Sequence, residues 1–231
     1  MASAGRRGAR LLPTDREAAL ALFPLPPEIV RRLEIYADLL RKWQTTINLV
    51  SASTLPQLWT RHIADSLQVQ AAVPDARIWA DLGSGGGFPG LVTAIRLAET
   101  PGVKVHLIES DQRKCAFLRE VSRETSAPAI IHNGRIEEII NHITDSIEAV
   151  SARALAPLPS LVAYAENWLA QGAVGVFLKG QEAEQEVKAL STTGRYRIMA
   201  KSSVTAPVSR LLLVYDESAQ KPRCGADEFQ A

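Results

Sequence analysis

The chain is poor in the residues that most quickly betray a chemistry. It has two cysteines, Cys115 and Cys224, in 231 residues, and two thiols so placed supply neither a disulfide framework nor metal-ligand spacing. A reducing compartment suits them. There are four histidines, and His62 has no second histidine at ligand distance along the chain, so no metal centre is expected. The formal net charge is +1, which excludes a strong overall attraction to nucleic acid, membrane or acidic substrates and leaves room only for local patches. No run approaches the ~18 uninterrupted apolar residues of a membrane helix. The first residues, MASAGRRGARLLPT, are basic and small but lack the continuous apolar block of a secretory signal. A cytoplasmic, monomeric protein with no membrane partner is expected.

What is present is ordinary globular composition, with 46% hydrophobic and 22% charged residues, enough for one sizeable core. Residues 1–26 read as a flexible basic segment, 27–217 as the main domain with a helical extension over 27–75, and 218–231 as a tail. Ile29, Leu33, Tyr36, Leu39, Leu40 and Trp43 recur at three- and four-residue steps, predicting one buried helical face. A second helical pattern covers residues 55–73. From Arg77 onward, short β-rich runs alternate with amphipathic stretches: RIWADL, VKVHLIE, AIIHN, IEAVSAR, AVGVFLK, YRIMAK and RLLLVY. Helices are predicted from Gly90, from Asp111 and over 158–170. This rhythm predicts a doubly wound, mostly parallel α/β sheet of seven strands. The link between the last two strands is too short for a crossover, which predicts a hairpin return and an antiparallel edge strand.

The most informative segment is Asp81-Leu-Gly-Ser-Gly-Gly-Gly-Phe-Pro-Gly90, placed after the first strand and before a helix. Glycines there let the backbone turn sharply and approach a ligand closely. Gly83, Gly85 and Gly87 follow an acid in an alternating run, while Gly85, Gly87 and Gly90 satisfy G-x-G-x-x-G. The loop therefore fits a nicotinamide dinucleotide as well as S-adenosylmethionine. For the latter, Asp81 could meet the ammonium, directly or through water. Glu109 ends the second strand, where a carboxylate accepts ribose hydroxyls in either cofactor family.

Several further segments lie in order around the loop. They are Trp43 with Ile47-Asn-Leu-Val-Ser51, Arg61-His-Ile-Ala-Asp-Ser66, Leu107-Ile-Glu-Ser110 with Lys114 and Phe117-Leu-Arg119, Ser151-Ala-Arg-Ala154 and Leu178-Lys-Gly-Gln181. Together they resemble the RsmG family, also called GidB, the guanine-N7 methyltransferases of bacterial 16S ribosomal RNA. The resemblance covers roughly residues 28–215. It implies a class I, Rossmann-like methyltransferase that binds S-adenosylmethionine, with Gly83, Gly85 and Phe88 lining the cofactor, Ile136 and Glu137 beside the adenine, Glu109 on the ribose and Arg153 near the methyl-donor end. The partner it implies is 16S rRNA or the small ribosomal subunit. Ser84, Gly86 and Glu109 depart mildly from the family's loop and second-strand acid, each preserving the chemistry.

Guanine N7 is a lone-pair nucleophile, so no general base is required and no catalytic residue is expected beyond those that position the reactants. Arg153 then suits the cofactor's carboxylate or an RNA phosphate. Lys179, Arg61, Arg113 and Lys114 are candidate RNA contacts, and Arg6, Arg7 and Arg10 are weaker ones. Arg61, His62 and Asp65 either close over the cofactor or hold the N-terminal helices to the sheet. His62, Trp43, Trp59 and Cys115 read as packing residues. A dinucleotide-dependent oxidoreductase, a small-molecule methyltransferase and a non-catalytic ribosome-binding module are the competing readings.

Overall fold

The computed structural model describes residues 13–191 and 194–219. The chain begins with helices α1 (Asp15–Leu22) and α2 (Pro27–Gln44), then a 3-10 turn (Leu55–Gln57), a π-helical turn (Trp59–Ala64) and α3 (Asp65–Ala72). Next come β1 (Ile78–Leu82), α4 (Gly90–Arg96), β2 (Lys104–Glu109), α5 (Gln112–Thr125), β3 (Ala129–Asn133), the single turn α6 (Ile136–Ile139) and β4 (Ala149–Arg153). The chain closes with α7 (Leu158–Ala170), β5 (Val174–Lys179), α8 (Ala183–Ser191), β6 (Tyr196–Ser202) and β7 (Arg210–Asp216).

The seven strands form one sheet in the order β3-β2-β1-β4-β5-β7-β6. The first five are parallel to one another, and β7 pairs antiparallel with both β5 and β6. The hairpin return is therefore present, but the reversed strand is not the edge. β7 inserts beside β5, where its run from Leu211 to Tyr215 is buried, and β6, whose burial alternates, takes the edge. A strand apolar on both faces needs a neighbour on each side; an alternating one does not.

Each face of the sheet carries its own core. One packs β-strand side chains such as Trp79, Val105 and Leu107 against α2, α3, α4 and α5, and the other packs Ile108, Val150 and Phe177 against α6, α7 and α8. Helix α2 starts with proline at its first turn, which suits the absent N–H, and buries Ile29, Leu33, Tyr36, Ala37 and Leu40. Trp43 packs on Phe117 at 5.8 Å between ring centres and donates to Glu120. Trp59 and Cys115 are buried.

Within the segment over residues 1–26 that composition reads as flexible, the described part forms a capped helix. Thr14 and Glu17 form a reciprocal capping box that starts α1. Asp15 then reaches across to accept from the backbone N–H groups of Trp59, at 2.7 Å, and Thr60. The basic residues Arg6, Arg7 and Arg10 lie outside the described residues. The continuous helix expected over 55–73 is instead broken into three pieces, because the wider π turn intervenes. Among the described residues no helix is long and apolar enough to cross a membrane.

Candidate functional site

The strand order reverses direction between β1 and β4, and open α/β sheets take ligands in the crevice outside the strand ends at such a point. A cavity of about 480 Å³ lies there. Gly83, Ser84, Gly85, Gly86 and Phe88 of the loop line it together with Glu109, Ile136, Glu137 and Arg153, so the fold brings together Gly83 and Arg153, about 70 positions apart in sequence. Lys114, expected at the RNA, lines this same cavity. Sequence reasoning missed Leu155 and Tyr164, which face it too. Tyr164 donates to Glu137 at 2.9 Å and so fixes that carboxylate. Leu155 is brought over the loop by Ala154, whose φ of 53° is a left-handed conformation that residues with a Cβ rarely adopt.

The glycines have distinct duties. Gly83, at φ 63°, leaves a gap that a Cβ would close against Leu155 at 2.6 Å. Gly90 has no such slack, since a Cβ there would lie 2.5 Å from both Asp81 Cβ and Leu107 Cδ2. Gly86 is held from behind by Tyr36, whose hydroxyl donates to its carbonyl. Glu109 does more than wait for a ribose. One of its oxygens accepts from Gly85 N–H at 2.8 Å and the other from Asp111 N–H at 2.7 Å, and each oxygen retains a further acceptor site.

Asp81 is not where its place in the motif suggested. It is buried beneath the loop and does not line the cavity, because glycine at position 90 lets α4 close directly onto it. Ser151 donates to its Oδ1 at 2.6 Å, while Oδ2 is buried without a hydrogen-bond partner. Burial pushes its pKa up to about 6, against the lowering effect of the Ser151 hydrogen bond. A carboxyl whose folded pKa lies above its unfolded value favours folding at low pH and loses that contribution as pH rises through the folded pKa. Stability measured by urea unfolding should therefore fall between about pH 4 and pH 7 by roughly 2–3 kcal/mol more in the native chain than in Asp81→Asn. Parallel pH profiles for the two proteins would contradict this.

A second cavity of about 340 Å³ adjoins the first and shares Arg153 and Ala154 with it. Arg61, His62 and Asp65 come from the π turn and the start of α3, Lys179 from the end of β5, and Thr205, Ala206 and Ser209 from the β6–β7 turn. Arg153 stands at the junction with its guanidinium 5.0 Å from the centre of the Phe88 ring. Protein groups take part of its donor set: Nη1 donates to the Arg61 carbonyl at 3.1 Å and lies 3.4 Å from Asp65 Oδ2, and Nη2 donates to His62 Nδ1 at 2.7 Å. The sequence assigns it the cofactor's carboxylate or a phosphate; packing beside the π turn adds these protein partners, and Arg153 still lines both cavities.

The same contacts fix the histidine. With Nδ1 accepting from Arg153, the His62 proton sits on Nε2, which donates to Thr54 Oγ1 at 2.8 Å. Burial, helped by the charges of Arg153 and Arg61, lowers its pKa to about 3, so the ring is neutral. Asp65 is the hub of this side: its Oδ1 accepts from Thr205 Oγ1 at 2.6 Å and from Gln68 Nε2 at 2.8 Å. Lys179, expected at a phosphate, is mostly buried and pairs with Glu186 at 2.8 Å while donating to the Ala156 carbonyl. Arg113 lies outside both cavities, 72% exposed and 3.7 Å from Asp111. Arg61 is exposed, with no ion-pair partner among the described residues.

Comparison with known proteins shows the family and the fold. The family model described as rRNA small subunit methyltransferase G matches residues 29–210. A ribosomal RNA small subunit methyltransferase G of Bradyrhizobium sp. strain BTAi1 is 52% identical over 178 residues, 77% of this chain and 80% of that protein. One from Nitrobacter winogradskyi is 47% identical over 213 residues, 92% of this chain and 76% of that protein. Among solved structures, an S-adenosylhomocysteine-bound methyltransferase of Podospora anserina shares the fold with a TM-score of 0.60 at 10% identity, covering 90% of this chain and 99% of that one.

Proposed function

The chain belongs to the rRNA small subunit methyltransferase G family, and from that premise we propose how its two cavities divide the work. The first takes S-adenosylmethionine and the second takes a guanine of 16S ribosomal RNA, presented by its N7 edge. The protein is thus an S-adenosylmethionine-dependent methyltransferase of small-subunit rRNA, acting in the cytoplasm as a monomer. The observation that carries this division is that both cavities meet at Arg153 and Ala154, directly at the strand-order reversal.

The first cavity fits the cofactor on its own geometry. Its volume is that of a small-molecule site, and the gap at Gly83 is one that any side chain would fill. When bound, S-adenosylmethionine supplies an electrophilic methyl group on a positively charged sulfur. Glu109 uses its remaining acceptor sites for the ribose hydroxyls, and Ile136 and Glu137 flank the adenine. Phe88, backed by His62 at 5.0 Å between ring centres, walls the passage between the cavities.

On the acceptor side the chemistry asks for little. N7 is neutral and already carries its lone pair, so neither His62 nor Asp65 has a proton to remove. The protein supplies orientation and dryness, and such placement is worth roughly 7–11 kcal/mol in favourable cases. It also faces a charge problem, because the methylated guanine is a cation. Arg61, Arg153 and Lys179 line the second cavity, and Asp65 is the only carboxylate among its lining residues. Asp65 therefore offsets Arg153 and favours the charge that develops on the base.

The direct test is to incubate the purified protein with S-adenosylmethionine and small-subunit rRNA, digest, and identify the product by mass spectrometry. 7-Methylguanosine is expected. A methyl group on another nucleoside, or only on small metabolites, would refute the assignment. Added salt should slow the reaction as phosphate contacts are outcompeted. Arg61→Gln should lower the slope of log affinity against log salt by about one, and an unchanged slope would remove Arg61 from the RNA contact.

A further inference from the structure

The turn between β6 and β7, residues 203–209, exposes Val204 by 57% and Val208 by 59%, the most exposed of the large hydrophobic side chains among the described residues. The same turn carries Thr205, Ala206 and Ser209 into the wall of the second cavity. It is held rigidly. Thr205 is bonded to Asp65, Val204 N–H donates to Gln68 Oε1 at 3.3 Å, and Ser203 Oγ accepts from the N–H groups of Thr205 and Ala206. A preorganised turn that keeps two branched apolar side chains in water, each next in sequence to a residue lining a substrate cavity, calls for an apolar partner beside that cavity.

The reading of the second cavity as a guanine site says what that partner is. In A-form RNA, N7 lies in a deep, narrow groove that side chains cannot read, so a guanine presents that edge to a cleft in the protein only when drawn out of its stack. Its former stacking neighbours then present bare apolar faces. Apolar side chains inserted beside such faces hold unstacked nucleic acid in place. Arg61, exposed on the rim of the same cavity, is placed to meet the backbone phosphates of those nucleotides. We propose that Val204 and Val208 form a wedge that packs against the rRNA bases flanking the target guanine and keeps the target in the cavity. This rests on the functional reading above.

The test pairs Val204→Ser/Val208→Ser with Val204→Leu/Val208→Leu. Because both side chains are exposed, neither pair should shift the thermal unfolding midpoint or the affinity for S-adenosylhomocysteine. The serine pair should raise the KM for small-subunit rRNA by about tenfold, the effect of losing part of two apolar contacts. The slope of affinity against salt should stay as in the native chain, since no phosphate contact is lost. The leucine pair should keep the native KM within about twofold. An unchanged KM in the serine pair overturns the proposal, as does a changed salt slope. So does altered self-association with intact rRNA methylation, which would mark the turn as a protein contact. A native chain that methylates no rRNA refutes the functional reading itself, and the wedge with it.

Discussion

Gly83→Val is expected to weaken S-adenosylmethionine binding by about a hundredfold or more, in a chain that still folds. The two halves of this expectation have separate causes. A side chain at position 83 would meet Leu155 Cδ1 at 2.6 Å, but Leu155 is 38% exposed and can swing away, so the fold survives the clash. The valine then stands in the cavity mouth, and its branched side chain resists the φ of 63°. Gly90→Val differs, because the obstacles there are Asp81 Cβ and Leu107 in the core. It should unfold the protein at temperatures where Gly83→Val remains native. Calorimetric titration together with thermal unfolding separates the two; tight cofactor binding by a folded Gly83→Val protein would dismiss the glycine loop as the cofactor's cradle.

Asp65→Asn carries the second large effect. The substitution keeps the shape of the side chain and can keep its bonds to Thr205 and Gln68, but it leaves Arg153 without the carboxylate 3.4 Å away. In the proposed division of the cavities, methyl transfer moves a positive charge from the first toward the second, so an uncompensated guanidinium between them opposes the transition state. Turnover should fall by about two orders of magnitude, the scale found when one preorganised electrostatic partner is removed. The cofactor pair provides an internal control. S-Adenosylmethionine, a sulfonium, should bind the variant less well, while uncharged-sulfur S-adenosylhomocysteine should bind it as before. Equal losses for both would point to a structural role for Asp65, and native turnover would exclude it from the reaction.

Much of the fold was legible in the sequence because its signals are local. Runs such as VGVFLK and RLLLVY are apolar on both faces and read as buried strands, and the spacing of Ile29, Leu33, Tyr36 and Leu40 reads as one helical face. The glycine loop announced its own cavity. What stayed hidden depends on partners distant in sequence. Nothing near Arg153 tells that His62 and Asp65, about ninety residues earlier, will pack against it and take two of its hydrogen bonds. The ion pair that withdraws Lys179 from solvent waits on Glu186 in the next helix. Asp81 looked like a ligand because motifs record position along the chain, whereas the closeness of Gly90 buries it. The π turn is equally silent: residues 55–73 carry an ordinary helical pattern, and the widened turn that delivers Arg61 and His62 depends on tertiary support such as Asp15.

The reversal of β7 has an effect beyond closing the sheet. The other loops at the ligand edge run from a strand into a helix, so changing them disturbs a packed layer. The β6–β7 turn joins two strands instead of starting a helix, and it is tied to α3 through the Thr205 and Ser203 hydroxyls and the Val204 backbone, none of which involves the side chains of Val204 and Val208. Its tip can change sequence while the machinery on the far side of Arg153 stays as it is. Selectivity for the nucleic acid can thus drift independently of the methyl donor, a separation built into the connectivity of the chain.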